Sequence, residues 1–205
     1  MNITTLEALR ALYDPVRERS AKKELPRLDV HATRFIGFSP LVVLSSAGAN
    51  GALDASPRGG EPGFVKVLDP QTLLIPDAPG NNRLDTLENI VQTGQIGLLF
   101  LVPGMDETLR VNGSALLTTD EADRERSADA RRVPKLVIRV TVRASYLHCA
   151  KALMRSALWD ASRHVARSVM PSMGEMLRDQ IGERMSAEAP VETQEQMLER
   201  YRQTL

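Results

Sequence analysis

Residues 80–102 read Gly-Asn-Asn-Arg-Leu-Asp-Thr-Leu-Glu-Asn-Ile-Val-Gln-Thr-Gly-Gln-Ile-Gly-Leu-Leu-Phe-Leu-Val, and they constrain the fold more than any other stretch. Apolar residues at helical spacing predict a helix here, and they are Leu84, Leu87, Ile90 and Val91. Asn82 is placed as its N-cap and Gly94 lies just past its end. The run from Gly97 to Val102 is continuously apolar, as expected of a strand that is buried on both faces or lies at the centre of a barrel.

The surrounding chain has the two-residue period and the turn chemistry of β-strands. Short or alternating apolar runs predict strands at Leu41–Ser46, Phe64–Leu68, Thr72–Ile75, Leu109–Leu117 and Leu136–Arg143. Asp69-Pro70-Gln71 is a good hairpin connection between two of them. Asn112-Gly113 is either another hairpin turn or a bulge in a through-strand. We favour the bulge because the alternation resumes in the same phase beyond it.

Several short strands with one internal helix predict a closed or nearly closed barrel, because that many strands leave edges that need cover. No βα unit repeats, which argues against a doubly wound sheet. The charged stretch Ser127–Arg132 is expected to be an exposed short helix or a loop.

Both ends of the chain have helical spacing. Near the N-terminus, Thr4 or Thr5 is a possible cap for the first helix. In the tail, the stretches around Met176–Ile181 and Val191–Tyr201 are amphipathic, and Met170-Pro171 and Ala189-Pro190 mark breaks. We therefore predict one mainly β, α+β domain over residues 1–205, with a helical segment (1–30), a barrel (31–147) and a helical extension (148–205).

Composition excludes several classes of function. Lys plus Arg and Asp plus Glu number 26 each, so the chain has no global field for nucleic acid or an anionic membrane. Cys149 is the only cysteine and cannot form an internal disulfide, which suits a reducing compartment. The N-terminal residues lack the pattern of a signal peptide. We predict a cytoplasmic protein without nucleic-acid or membrane partners.

The usual catalytic and metal-binding motifs are absent from the sequence. There is no phosphate-binding GxxxxGK[ST] loop, no HExxH and no CxxC pair. His31, His148 and His164 are far apart and have no ligand partners at suitable spacing, so no metal is expected. Cys149 is interpreted as a small apolar filler.

The remaining candidate is a site for a phosphate-type anion. Pro79–Arg83 leads directly into the predicted helix, whose free N–H groups and positive end attract anions. Arg58 and Arg110 provide two further guanidinium groups on the sheet. The alternatives are that Asn82 is only an N-cap, that Arg83 is only a solvated first-turn residue, and that Arg110 lies on the surface of an edge strand.

Several segments in order resemble one family. Asp54-Ala-Ser-Pro-Arg-Gly59, Phe64-Val-Lys-Val-Leu-Asp-Pro-Gln-Thr-Leu-Leu-Ile-Pro-Asp77 and Gly80-Asn-Asn-Arg-Leu-Asp-Thr-Leu-Glu-Asn-Ile90 are similar to the FMN-binding split barrel of the pyridoxamine-5′-phosphate-oxidase-like flavoproteins. Glu107-Thr-Leu-Arg-Val-Asn-Gly113 and His148-Cys-Ala-Lys-Ala152 continue the similarity, which covers roughly residues 30–160. In this superfamily FMN lies at the interface of a homodimer.

The resemblance implies which residues bind the cofactor. Contacts to the phosphate or ribityl chain are implied for Ser56, Arg58, Asn82, Arg83 and Leu84. Contacts around the flavin ring are implied for the strand end Ile75, Pro76 and Asp77 and for the strand residues Thr108 and Arg110. Contacts from the second subunit are implied for Lys151, Arg155, Ser156 and Trp159, with Trp159 alternatively an anchor in the core or interface.

The resemblance also implies a function. We expect an FMN-dependent oxidoreductase that acts on a small organic substrate, without an identified catalytic side chain. The turn at Asn81–Leu84 has one cation fewer than in the true oxidases, and the tail lacks their substrate-binding pattern, so the substrate is expected to differ. The alternatives are a noncatalytic flavin- or haem-binding protein, and a split barrel that uses a deazaflavin.

Overall fold

The computed structural model describes residues 2–184 and 192–203. The chain forms two compact units, Met1–Trp159 (the barrel unit) and Asp160–Leu205 (the C-terminal unit). The expected single domain, with its divisions after residues 30 and 147, stays a prediction. In the described part of the chain, none of the helices has the length and apolar character needed to cross a membrane.

A seven-stranded antiparallel sheet forms the barrel unit. Its strands are β1 (Leu41–Ala47), β2 (Leu53–Gly59), β3 (Lys66–Asp69), β4 (Thr72–Pro76), β5 (Gln95–Leu101), β6 (Thr108–Thr118) and β7 (Val137–His148). The order across the sheet is β2-β1-β5-β6-β7-β4-β3, so β2 and β3 form its two edges. The sheet is not closed, which confirms the expected split barrel and excludes the fully closed alternative.

The two turn predictions within the sheet are confirmed. β3 and β4 pair as a hairpin around Pro70 and Gln71. β6 runs through Asn112-Gly113 as one strand, with a shift of register against β7 at that point. A Cβ on Gly113 would lie 2.1 Å from the carbonyl oxygen of Thr141, so the close approach of the two strands at the bulge requires glycine.

Six helices accompany this sheet. They are α1 (Leu6–Arg10), α2 (Glu18–Lys22), α3 (Val30–Phe38), α4 (Asp85–Thr93), α5 (Glu121–Arg126) and α6 (Lys151–Ser156). Thr5 caps α1 as expected, accepting from the Ala8 N–H at 3.2 Å. The expectation of one internal helix is wrong, since α5 also lies between strands and residues 127–132 follow it. α3 was not predicted either, and its buried Phe35 and Ile36 join the core.

The core lies on the inner face of the sheet. Along β1 the side chains of Val42 and Leu44 are fully buried, while those of Val43 and Ser45 lie on the other face. Phe100 is the largest fully buried side chain. Burial of each such side chain stabilises the fold by roughly 1.5–3 kcal/mol.

The C-terminal unit contains two longer helices, α7 (Met173–Ile181) and α8 (Gln194–Arg202). They confirm the two helical stretches expected in the tail, with α7 starting after the break at Met170-Pro171. Val191 and the break expected at Ala189-Pro190 lie outside the described residues.

Candidate anion-binding site

The first turn of α4 has no side-chain cap. The N-cap is Leu84, which has no side-chain oxygen to accept from the first-turn N–H groups, so the assignment of Asn82 as N-cap is wrong. Asn82 instead has a left-handed φ of 59°, a conformation that Asn tolerates better than most residues. The Asn81 Oδ1 atom stabilises the turn by accepting from the Arg83 N–H at 3.0 Å. These asparagines therefore shape the turn and leave the start of α4 uncapped.

Arg83 lies on the surface beside this turn. Its Nε donates to Asp85 Oδ2 at 2.5 Å, and the two side chains are 77% and 45% exposed. This hydrogen bond raises the pKa of Arg83, with a smaller contribution from the charge of Asp54. Because the pair is exposed to water, an anion at the turn can compete with Asp85 for the guanidinium.

Asp54, Ser56 and Arg58 of β2 form a polar row that faces into the barrel. They alternate with exposed residues and are themselves half-buried. Their partners on β1 are Ser46, Leu44 and Val42 in the same order, and all three are buried. The inward direction follows because paired residues of neighbouring strands lie on the same face. Two of the expected ligand residues, Ser56 and Arg58, thus lie at the open edge of the barrel.

Asp54 is the centre of a hydrogen-bond network that sequence reasoning missed. Its Oδ1 accepts from the Ser56 hydroxyl at 2.8 Å, and its Oδ2 accepts from the Thr86 hydroxyl at 2.5 Å. The Ser46 hydroxyl lies 3.5 Å from Oδ2 and accepts from Asn89 Nδ2 at 3.0 Å. The available signal was the alternation of polar residues at 54, 56 and 58, which a strand places on one face.

The end of β4 approaches the same row. Ile75 is fully buried, while Pro76 and Asp77 are half-buried. In the described ladder, β3 pairs with β4 only as far as Leu74, so Ile75 and Pro76 pair with β7 alone. Ile75 and Pro76 therefore have no ladder partner on the β3 side of β4.

Asp77 connects this strand end electrostatically to β2. Burial raises the pKa of the Asp77 carboxyl, and the nearby positive charges of Arg58, Lys135 and Arg132 act in the opposite direction. The Asp77 N–H donates to the Leu136 carbonyl at 3.1 Å. The charge of Arg58 therefore acts on the carboxyl at the end of β4.

Thr108 and Arg110 lie elsewhere on the sheet. By their alternation with the fully buried Leu109 and Val111, they belong to the outer face of β6. Thr108 is buried, and the Arg110 guanidinium lies 5.3 Å from the centre of the Tyr146 ring. Arg110 is half-buried under this stacking and β6 is a central strand, so the alternative of a surface residue on an edge strand is wrong. Its contact with the flavin stays a prediction.

The residues after β7 form a second separate group. Lys151, Arg155 and Ser156 are exposed on α6, and the Ser156 hydroxyl donates to the Leu153 carbonyl at 2.9 Å. They follow His148, whereas the end of β4 pairs with Val137 at the other end of β7. A twelve-residue strand is roughly 40 Å long at about 3.3 Å per residue. Within a single chain, α6 is therefore far from the end of β4 and from the turn that follows it.

Trp159 lies half-buried after α6. Its indole N–H donates to the Met105 carbonyl at 2.8 Å and attaches this segment to the loop between β5 and β6. The anchoring role is thus realised within the chain, and contact with a cofactor stays a prediction.

The donors at the turn fit a phosphate group. The start of α4 has no side-chain cap, Arg83 supplies a guanidinium beside it, and a Cβ on Gly80 would meet nothing within 4 Å. Arg58 supplies a second guanidinium on β2, where it donates to the Pro57 carbonyl at 2.9 Å. The nearby carboxylates do not take up the backbone donors, because Asp54 accepts from hydroxyls and Asp85 from Arg83. Across residues 2–184 and 192–203, no three His, Cys, Asp or Glu side chains are placed to hold a metal ion.

Comparisons with known proteins agree with this fold. The model of the pyridoxamine 5′-phosphate oxidase family matches residues 28–149. No protein with a curated description matches the chain significantly.

Among solved structures, HupZ of Group A Streptococcus is 19% identical, with a TM-score of 0.49 over 58% of this chain and 93% of that one. A candidate pyridoxamine 5′-phosphate oxidase from Lactobacillus delbrueckii is 21% identical, with a TM-score of 0.47 over 60% and 98%. An FMN-binding protein from Syntrophomonas wolfei is 10% identical, with a TM-score of 0.44 over 58% and 86%. These likenesses are too distant to assign a function.

Proposed function

Because the chain belongs to the pyridoxamine 5′-phosphate oxidase family, we propose that it binds FMN noncovalently and acts as an FMN-dependent oxidoreductase on a small organic substrate. The observation that carries the proposal is the uncapped start of α4 beside Arg83, with Arg58 on the facing strand. A phosphate dianion is the ligand that such a donor set favours. A cytoplasmic location stays a prediction.

The residues of the turn and of β2 have distinct roles in this proposal. The first-turn N–H groups of α4 and the Arg83 and Arg58 guanidinium groups hold the phosphate. Ser56 accepts from a ribityl hydroxyl and does not hold the phosphate, because its own hydrogen is donated to Asp54. The end of β4 at Ile75 and Pro76, which has no ladder partner on the β3 side, borders the ring. Bound flavin supplies the electron- or hydride-transfer chemistry, and the protein binds and orients it.

The first test is the identity of the bound group and the effect of Arg83→Ala. The purified protein is expected to carry a yellow chromophore with the mass of FMN; a deazaflavin or haem would give a different spectrum and mass. Arg83→Ala should weaken FMN by roughly 1.5–3 kcal/mol, which is the contribution of a charge-assisted hydrogen bond. Titration calorimetry measures this change, and Arg19→Ala, which removes an exposed arginine from α2, is the matched control. Equal affinities for the two variants would reject the role of Arg83.

Catalysis is tested separately from binding. Steady-state oxidation of NAD(P)H, or of an air-oxidisable substrate, by the flavin-loaded protein is the expected result. A protein that binds FMN tightly without any such turnover is the noncatalytic alternative.

We further propose that the site is completed in a homodimer, with FMN at the interface. Thr108, Arg110 and the α6 residues Lys151, Arg155 and Ser156, together with Trp159, then approach the flavin from the second subunit. The support is that one chain separates these residues from the turn, and that the outer sheet face carries the half-buried apolar residues Val43, Leu99 and Leu101.

A shared site makes cofactor binding depend on protein concentration. Dilution is expected to release FMN and to dissociate the dimer over the same concentration range, as measured by flavin fluorescence and analytical ultracentrifugation. A monomer that retains FMN would contradict the shared site while leaving FMN binding itself intact.

A further inference from the structure

The two cation-bearing elements of the site are joined by side chains. β2 is an edge strand whose ladder partner is β1, so no backbone ladder connects it to α4. The connection is made by Asp54, which accepts from Ser56 on its own strand and from Thr86 in the first turn of α4. This arrangement sets the distance between Arg58, which is on β2, and the N–H groups of α4.

The network is shielded from water on the side of the helix. Thr86, Asn89 and Ser46 are only 2%, 9% and 7% exposed. Hydrogen bonds to a charged acceptor in such surroundings are stronger than those at the surface. The Thr86 side chain is therefore held firmly, although its hydroxyl is directed to Asp54 and away from the turn residues.

We propose that Asp54 is a positioning residue that acts through Thr86 to hold the start of α4 in the geometry that binds the phosphate. This inference rests on the proposed binding of FMN. Asp54 does not touch the ligand in this role, and its negative charge by itself opposes an anion. Its carboxylate accepts hydrogen bonds from β2 and from α4 at the same time. An uncharged or shorter side chain would do this less well.

Thr86→Val tests this role without changing charge or shape, since only the hydroxyl is lost. The measurement compares the affinities for FMN and for riboflavin, which lacks the phosphate. FMN affinity is expected to fall about 10-fold, as for the loss of one hydrogen bond to a charged group, while riboflavin affinity stays unchanged. Thr86→Ser, which keeps the hydroxyl, should restore the ratio.

Thr93→Val is the matched control, because it makes the same change at the opposite end of the same helix. The Thr93 hydroxyl donates to the Ala47 and Asn89 carbonyls, so its loss also weakens the attachment of α4. Its ratio of FMN to riboflavin affinity is expected to equal that of the unaltered protein. Asp54→Asn, which retains one acceptor oxygen, should lower the ratio less than Asp54→Ala.

Two results overturn the proposal. They are an unchanged ratio of FMN to riboflavin affinity in Thr86→Val, whether or not both affinities fall, and an equal fall of that ratio in Thr93→Val. Failure of the unaltered protein to bind FMN is a different result and overturns the proposed function together with this inference. Should Asp54→Ala fail to fold, the Thr86 series alone decides the question.

Discussion

The barrel unit and the C-terminal unit of this chain are stabilised by different kinds of contact. The barrel unit buries a continuous apolar cluster, with Phe100, Leu44 and Ile75 completely inaccessible. Among the described residues of the C-terminal unit, Met197 alone is buried, at 7% exposure. The comparison indicates that apolar burial fixes the geometry of the barrel unit, whereas contacts other than apolar burial must order the C-terminal unit.

Polar contacts at helix ends supply much of that order. The Arg167 guanidinium donates to the Met170 and Pro171 carbonyls and to Gln194 Oε1. Both α7 and α8 begin with a reciprocal capping box, made by Ser172 with Glu175 and by a Thr-Gln pair. Such contacts are individually weak, and the capping box of α7 depends in addition on the ionisation of Glu175. The two units should therefore respond differently to substitution and to pH.

The largest expected difference concerns loss of apolar volume. Phe100→Ala should lower the free energy of unfolding of the barrel unit by about 3–5 kcal/mol, because it removes a fully buried ring and leaves a cavity. Leu177→Ala, in α7, removes a side chain that is 45% exposed and should leave the barrel within about 0.5 kcal/mol. Urea unfolding followed by the fluorescence of Trp159, the only tryptophan, reports on the barrel unit. Equal effects of the two substitutions would remove the proposed distinction.

Most of the sheet could be predicted because its signals are local. The alternation along β7 and the hairpin at Pro70 require only neighbouring residues, and even the bulge at Gly113 is visible as alternation that stays in phase. α3 could not be predicted in this way, because its nine residues are held by burial of Phe35 and Ile36 against strands distant in sequence. The N-cap of α4 was misplaced because Asn82 has the composition of a cap but adopts a left-handed φ.

The candidate site was predictable only in part. Arg83 was identified because it lies at the start of a predicted helix. Arg58 was identified as a further guanidinium group on the sheet, and the family resemblance then implied its contact with the cofactor. The role of Asp54 depends on contact with Thr86, 32 positions along the chain, and no local pattern announces a pair at that separation. The strand register likewise places Thr108, Arg110 and α6 away from the turn. The sequence specifies this register only once the whole sheet is assembled.

A smaller effect should distinguish the C-terminal unit, and it concerns the capping box of α7. The Ser172 hydroxyl and backbone N–H both donate to Glu175, and these hydrogen bonds lower the pKa of that carboxyl. Because the pKa is lowered in the folded state, the ionised carboxylate stabilises α7 above the ordinary pKa of glutamate. This stabilisation is lost as the pH falls through the lowered value. The protection factors of the amides across Met173–Ile181, which are corrected for the intrinsic slowing of exchange in acid, should therefore fall as the pH is lowered, while those in β5 and β6 should not.

Ser172→Ala sharpens this expectation. It removes the cap, which should lower the stability of α7 by about 1 kcal/mol. It also removes one donor to Glu175, so the pKa of that carboxyl should move back towards its ordinary value. A carbon-detected NMR titration of Glu175 measures the shift, and Ser172→Thr, which keeps a hydroxyl, is the control. A titration unchanged in Ser172→Ala would mean that the backbone N–H alone holds the carboxylate. The Ser172 side chain would then contribute little to the order of α7. The contrast between a barrel unit held by apolar burial and a C-terminal unit held by side-chain caps would be weakened.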